Sequence, residues 1–287
     1  MIKFRKFFLY IPSVTLYDYT KIIQVSVLKH KKLLKAVICT IVVIMMLVLI
    51  NLIPTFNLST GNMNVLTGHW VNVYYENERE AAIDTYGLAD ARAAELAILL
   101  GVTKKPDINI YIYDDQSTMQ TKKYGLIAPL LGLDWYIGDN IGTNVILTSP
   151  ANPGKVHDYN NNKQAVLHEM VHAFNSVINP SMTYWVDNGL AGYLSEQVPN
   201  SEHLQSQPVP TLVQTRVGGL FSPMTFADFD GYEFSYTYID YLVETYSWDC
   251  VREFAKNGDF EKSFGRSEKE IYDEWVHYLA VQYRDQA

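Results

Sequence analysis

The longest unbroken apolar run in the chain is AVICTIVVIMMLVLINLI, residues 36–53, in which only Thr40 and Asn51 are polar and no charge appears. At 1.5 Å rise per residue, a helix of this length is just long enough to cross a hydrocarbon core. Pro54 marks its end. After a linker over residues 54–66 the pattern changes. His69 to Tyr75 (HWVNVYY) alternates and is rich in β-formers, which predicts a strand. Over residues 77–100, Ala82, Tyr86, Ala89, Ala93, Leu96 and Leu100 recur at helical spacing, with Gly101 as the cap. Ile108 to Tyr113 (INIYIY) reads as a second strand and Asp115 to Tyr124 as a short helix. Trp135 to Ile137 and Asn144 to Thr148 read as two more strands around Gly138 and Gly142, and the latter is a candidate edge strand for an extended peptide. Residues 150–162 read as a polar loop.

From there the periodicity is helical. It predicts helices over 163–178, stopped by Asn179-Pro180, then over 187–197, 234–247 and 249–257. A last helix opens at Ser267 with Glu270 three residues on, a capping box, and carries Ile271, Trp275, Tyr278 and Leu279 on one side. Strands first and helices later predict an α+β fold.

Charge divides the 287 residues sharply. Residues 1–35 carry eight Lys or Arg against one Asp, and residues 60–287 carry fifteen against thirty Asp or Glu. A body that acidic repels phosphate backbones, so no nucleic-acid partner is expected. Lys29, Lys31, Lys32 and Lys35 precede the apolar run and are expected to stay cytoplasmic, which places the body outside the cell membrane. The long basic lead and the lack of a small-x-small site after Ile53 favour a retained single-pass anchor over a cleaved signal. The expected organisation is a cytoplasmic basic segment 1–35, a transmembrane helix 36–53, a linker 54–66 and one domain 67–287. Two Cys, Cys39 and Cys250, exclude a disulfide scaffold and a Cys₄ metal site.

The chemistry is concentrated in His168-Glu169-Met170-Val171-His172. Two His at i and i+4 on a helix project from one face and can grip one metal ion. Glu169 stands where it can take a proton from an activated water. Zinc suits the pair, because it accepts mixed N and O ligands and keeps an open position for water. Val166, Met170, Phe174 and Val177 form a separate apolar face, so the helix is expected to be buried.

A third ligand has to come from elsewhere. Downstream stands Tyr184-Trp185-Val186-Asp187-Asn188-Gly189-Leu190-Ala191-Gly192-Tyr193-Leu194-Ser195-Glu196, which resembles the second motif of the gluzincin metallopeptidases, in particular the peptidase MA-like family. Pro180, Trp185, Gly189, Leu190, Ala191 and Tyr193 match that family's pattern, and the resemblance runs in order and spacing over residues 67–283. It implies a zincin-like fold, with a small twisted sheet and a helix on it before a mainly helical half. It also implies bound zinc and a peptide or protein substrate. The family's ligand Glu falls on Asn188, and its second Glu on Gly192. The third ligand is then Asp187, brought in by a small rotation of the helix start, or Asn188 through its amide oxygen, or the site holds zinc poorly. Asp187 is favoured, because zinc prefers an anionic oxygen when sulfur is absent. Glu196 lies two turns beyond Asn188, too distant for a ligand. Tyr236, at the start of a later helix, is a candidate oxyanion donor, against the packing role that 21 Tyr make commoner.

The expected function is a membrane-anchored extracytoplasmic zinc metallopeptidase with Glu169 as general base. The alternative is an inactive relic of such an enzyme that binds or scaffolds at the outer membrane face.

Overall fold

In the computed structural model the described residues are 16–284; Lys3, Arg5 and Lys6 of the basic segment lie outside them. The chain divides into two units, residues 1–53 and 54–287. Among the described residues the first holds the helix α1 (Leu16–Leu52), which begins well before the apolar run and buries none of its apolar span. It is long and apolar enough to cross a membrane.

The second unit is α+β. Its five strands are β1 (Asn64–Thr67), β2 (Val71–Tyr75), β3 (Ile108–Tyr113), β4 (Gly138–Ile141) and β5 (Asn144–Thr148). They lie in the order β1-β2-β3-β5-β4. β2, β3 and β5 run parallel, with Val73 opposite Ile110 and Ile110 opposite Val145. β1 and β4 are antiparallel edges. Three differences from the sequence reading follow. Strand β1 reaches back into the stretch read as linker. Residues 138–141, not 135–137, form the strand before the hairpin at Gly142. And β5 is interior, so β4 is the edge on that side. Gly138, expected between two strands, sits in the ladder opposite Leu147.

Helices α2 (Arg79–Leu99) and α4 (Tyr159–Ile178) cover one face of the sheet. Strand residues Val71, Val73, Ile108, Ile110, Ile112, Val145 and Leu147 point into this layer and meet Ala82, Ala89, Ala93 and Leu96 of α2 and Val166, Met170 and Phe174 of α4. The small alanines let α2 lie close on the sheet. The opposite face carries α3 (Gln116–Tyr124), whose Met119 packs with Tyr113 and Ile146. Helix α4 starts four residues earlier than its apolar pattern, because the Asp158 side chain accepts from the Asn161 N–H and caps it.

The helical half follows as α5 (Tyr184–Leu194), α6 (Ser201–Ser206), α7 (Ser222–Ala227), α8 (Gly231–Thr245), α9 (Trp248–Asn257), α10 (Phe260–Phe264) and α11 (Glu268–Leu279). Helix α5 begins three residues before the expected start, capped by Thr183. Helix α11 carries the expected capping box. The centre of this half is aromatic: Trp185 packs edge-on against Phe226, Tyr238 and Trp275, and the Trp275 indole donates to Thr237 Oγ1 at 3.0 Å.

Helices α5 and α8 approach backbone to backbone at Gly189. A Cβ there would press on the Ser235 carbonyl and lie 2.7 Å from Ile239 Cγ1. Gly189→Ala is therefore expected to destabilise the chain by about 1–3 kcal/mol through overpacking. The urea midpoint should fall with an unchanged slope; an unchanged midpoint would show that the two helices part without strain.

Candidate functional site

Eleven residues of α4 are buried, and among them are His168, Glu169 and His172, each only 8% exposed. The apolar side of the helix faces the sheet and α2. The polar side looks into a cleft of about 620 Å³, bounded by edge strand β4, by α4 and α5, and by residues 219–223. The two imidazole centroids are 4.8 Å apart and nearly perpendicular, as i and i+4 spacing requires.

Each imidazole has one nitrogen taken. His172 Nδ1 lies 2.8 Å from Asp187 Oδ2, and Asp187 Oδ1 accepts from the Asn175 amide at 2.7 Å. His168 Nδ1 lies 3.1 Å from Gln197 Oε1. Asn188, which also lines the cleft, donates through Nδ2 to the Tyr184 carbonyl at 2.9 Å. So the structure brings Asp187 and Asn188 to the two His from one turn of α5. Glu196 is elsewhere: its carboxylate accepts from Arg92 at 2.8 Å and stays exposed.

Glu169 sits under the edge strand. A Cβ on Gly138 would lie 3.1 Å from Glu169 Cγ and Oε1 and 2.8 Å from Leu147 Cδ2, so the glycine lets β4 pass close over the carboxylate. Beside it Asp139 accepts from Lys123 at 2.7 Å and from the Tyr136 hydroxyl. The opposite wall is aromatic. Tyr184 and Tyr232 share a hydroxyl–hydroxyl hydrogen bond at 3.2 Å, and Tyr232 lies against Trp135. Tyr236 is one turn further along α8 and packs on Tyr193 and beside Gly192, away from the cleft lining. The sequence reading singled out none of Gly138, Tyr184, Tyr232 and Gln197. Gly138 carried a signal, a glycine inside an apolar stretch; the others carried none, because their partners are distant in sequence.

Burial pushes the Glu169 carboxyl up to about 8. Burial, with the neighbouring His172, pulls His168 down to about 3. Burial also acts against a charged His172, but the Asp187 carboxylate overcomes it and lifts His172 to about 9. An ion bound at these imidazoles has to displace that proton, so binding is linked to pH.

Among the described residues no three His, Cys, Asp or Glu side chains are grouped to hold a metal ion. The donor set fits a divalent ion at two imidazole nitrogens, each steered from behind by a polar partner, with a neutral amide oxygen where an anion would hold it more firmly.

No family model and no curated protein matches the chain. Among solved structures, it is distantly similar in fold to native leukotriene A4 hydrolase from Saccharomyces cerevisiae, with a TM-score of 0.43 and 14% identity over 76% of this chain and 39% of that one. A second structure of the native yeast enzyme gives a TM-score of 0.42 and 12% identity, over 78% and 37%. The chain spans about two-fifths of the length of these enzymes.

A raised His172 pKa contributes stability that is full below the unfolded value near 6.5 and is lost as pH rises through about 9. With chelator present, Asp187→Asn should therefore destabilise the chain at pH 6 and much less at pH 9.5. Urea midpoints of both proteins across this range provide the check. Equal losses at both pH values would mean that Asp187 does not hold a charged His172.

Proposed function

We propose that the cleft is the active site of a zinc-dependent peptidase, carried outside the cell membrane on residues 36–53. One observation carries the reading: His168 and His172 each have Nδ1 engaged from behind, by Gln197 and Asp187, beside a buried carboxylate in an open cleft. Two Nε2 atoms are thereby left for one ion. His168, His172 and the Asn188 oxygen would hold it, and Asp187 would steer His172 from behind.

When bound, zinc would supply Lewis acidity toward water and a peptide carbonyl. Every other role falls to the chain. Strand β4 (Gly138–Ile141) is the edge along which an extended peptide would lie as an added strand, displacing the Asp139 and Lys123 side chains from the Asn140 backbone. Glu169 would accept the proton of the attacking water and return it to the leaving amine. The Tyr184–Tyr232 pair would offer a hydroxyl to the carbonyl oxygen as charge develops there. Trp135, Tyr184, Tyr232, Leu220 and Pro223 would favour apolar side chains near the scissile bond.

The second reading, a peptide-binding domain without catalysis, is favoured by a specific feature as well. Asn188 is neutral, and no third anionic or imidazole donor joins the two His among the described residues.

The full chain in detergent micelles separates the readings. Glu169→Gln should keep the fold and zinc but lower peptide hydrolysis by about 10²–10⁴-fold. His168→Ala or His172→Ala should abolish zinc binding, read by calorimetry. Asn188→Glu should raise zinc affinity. If zinc-loaded wild type cleaves no peptide in a library and Asn188→Glu restores nothing, the domain only binds.

Topology has its own measurement. Protease added to intact spheroplasts should digest the acidic body and spare a tag placed before residue 1, as the basic flank requires. A protected body would reverse the orientation and remove the extracytoplasmic reading.

A further inference from the structure

Helix α5 ends in a turn that does more than stop it. Ser195 is the cap residue, Glu196 adopts the left-handed conformation (φ 60°), and Gln197 follows. The Glu196 N–H donates to the Tyr193 carbonyl at 3.2 Å and the Gln197 N–H to the Gly192 carbonyl at 3.0 Å. These are the two hydrogen bonds of a Schellman motif. That motif usually takes Gly at its left-handed position, because a side chain there is strained. Here the position is Glu, and its carboxylate accepts from Arg92 of α2 at 2.8 Å. The strained residue is thus tethered to a different helix.

The turn brings Gln197 back over Gly192. A Cβ at Gly192 would lie 3.7 Å from Gln197 Oε1 and 3.6 Å from the Tyr236 ring. A longer side chain at 192 would compete for the place that the Gln197 carboxamide occupies. From that place Oε1 meets His168 Nδ1 at 3.1 Å. A carboxamide oxygen only accepts, so Nδ1 must carry the proton and Nε2 must present its lone pair.

We propose that Gln197 is the positioning residue of His168, set by the Gly192 gap and by the Arg92-tethered left-handed Glu196, and that it fixes the imidazole with Nδ1 protonated and Nε2 open to the cleft. It does for His168 what Asp187 does for His172, with a neutral acceptor in place of an anion. The bearing on metal affinity rests on the peptidase reading above; the choice of tautomer does not.

Gln197 is exposed over much of its surface, so its truncation leaves the core intact. The test is ¹⁵N-histidine NMR of the full chain in micelles, with chelator, at pH 7.5. The wild type should show His168 protonated at Nδ1. Gln197→Ala should move the proton to Nε2 or mix the two forms, whereas Gln197→Glu, which keeps an acceptor, should retain Nδ1–H. Glu196→Gly relieves the strain but removes the tether, and should give an intermediate mixture. Titrated with zinc, Gln197→Ala should bind about 10–100-fold more weakly than wild type, and Gln197→Glu should recover most of that loss. An unchanged tautomer in Gln197→Ala, or Nε2–H in the wild type, overturns the proposal even if zinc binds. The expected tautomer change in a wild type that binds no zinc supports the positioning role and overturns the metal reading alone.

Discussion

Placing two imidazoles and a carboxylate on one buried turn of a core helix removes three ionisable groups from water, and much of the second unit serves to offset that cost. Each group needs a partner, because an unpaired buried polar atom costs on the order of 1–3 kcal/mol. Asp187 supplies one for His172 and Gln197 one for His168. Both come from α5 or the turn that ends it. Helix α5 must therefore lie at a fixed height and rotation against α4. Gly189 permits this by letting α5 sink onto the α8 backbone, and the Trp185, Phe226, Tyr238 and Trp275 cluster holds the far side.

The cleft is a seam between two kinds of packing. Below it the sheet is covered by a helix with small residues, and above it helices pack on aromatic rings. At Gly189 the polypeptide comes closer to the neighbouring backbone than a Cβ would allow, and at Gly138 it passes close over the Glu169 and Leu147 side chains. At Gly138, the edge strand passes over Glu169 and shields it from water, which is the cause of its raised pKa. The same strand is the sheet edge on that side, so the shield and the candidate peptide-binding edge are one element.

The neutral Asn188 changes the balance of this site in a definite way. An anion there would neutralise a bound ion and raise the pKa of both imidazoles. With an amide, the main negative charge near the two His is Asp187, and it favours a proton on His172 as well as a metal ion. A bound ion would compete with that proton at His172. The Asn188 amide also donates to the helix carbonyl of Tyr184, a bond that a carboxylate could not make. The amide therefore contributes to the start of α5 as well as to the site.

Local pattern alone determined a good part of this protein. The apolar run before Pro54, β3, α2 and the capped α11 follow from periodicity and caps, because these depend on residues within a few positions of one another. The i and i+4 spacing of His168 and His172 likewise fixed that both project from one helical face. Sequence placed Asp187 and Asn188 near the site but left their roles open, since both lie in the first turn of α5 and a rotation of that helix would exchange them. Only the packing of α5 on α8 at Gly189 decided that Asp187 stands behind His172 and Asn188 beside His168. The edge position of β4, the cleft placement of Tyr232 over Tyr236, and the reach of Gln197 to His168 were likewise decided by tertiary structure. Each joins residues that no local periodicity couples, and each rests on how closely two backbones can approach.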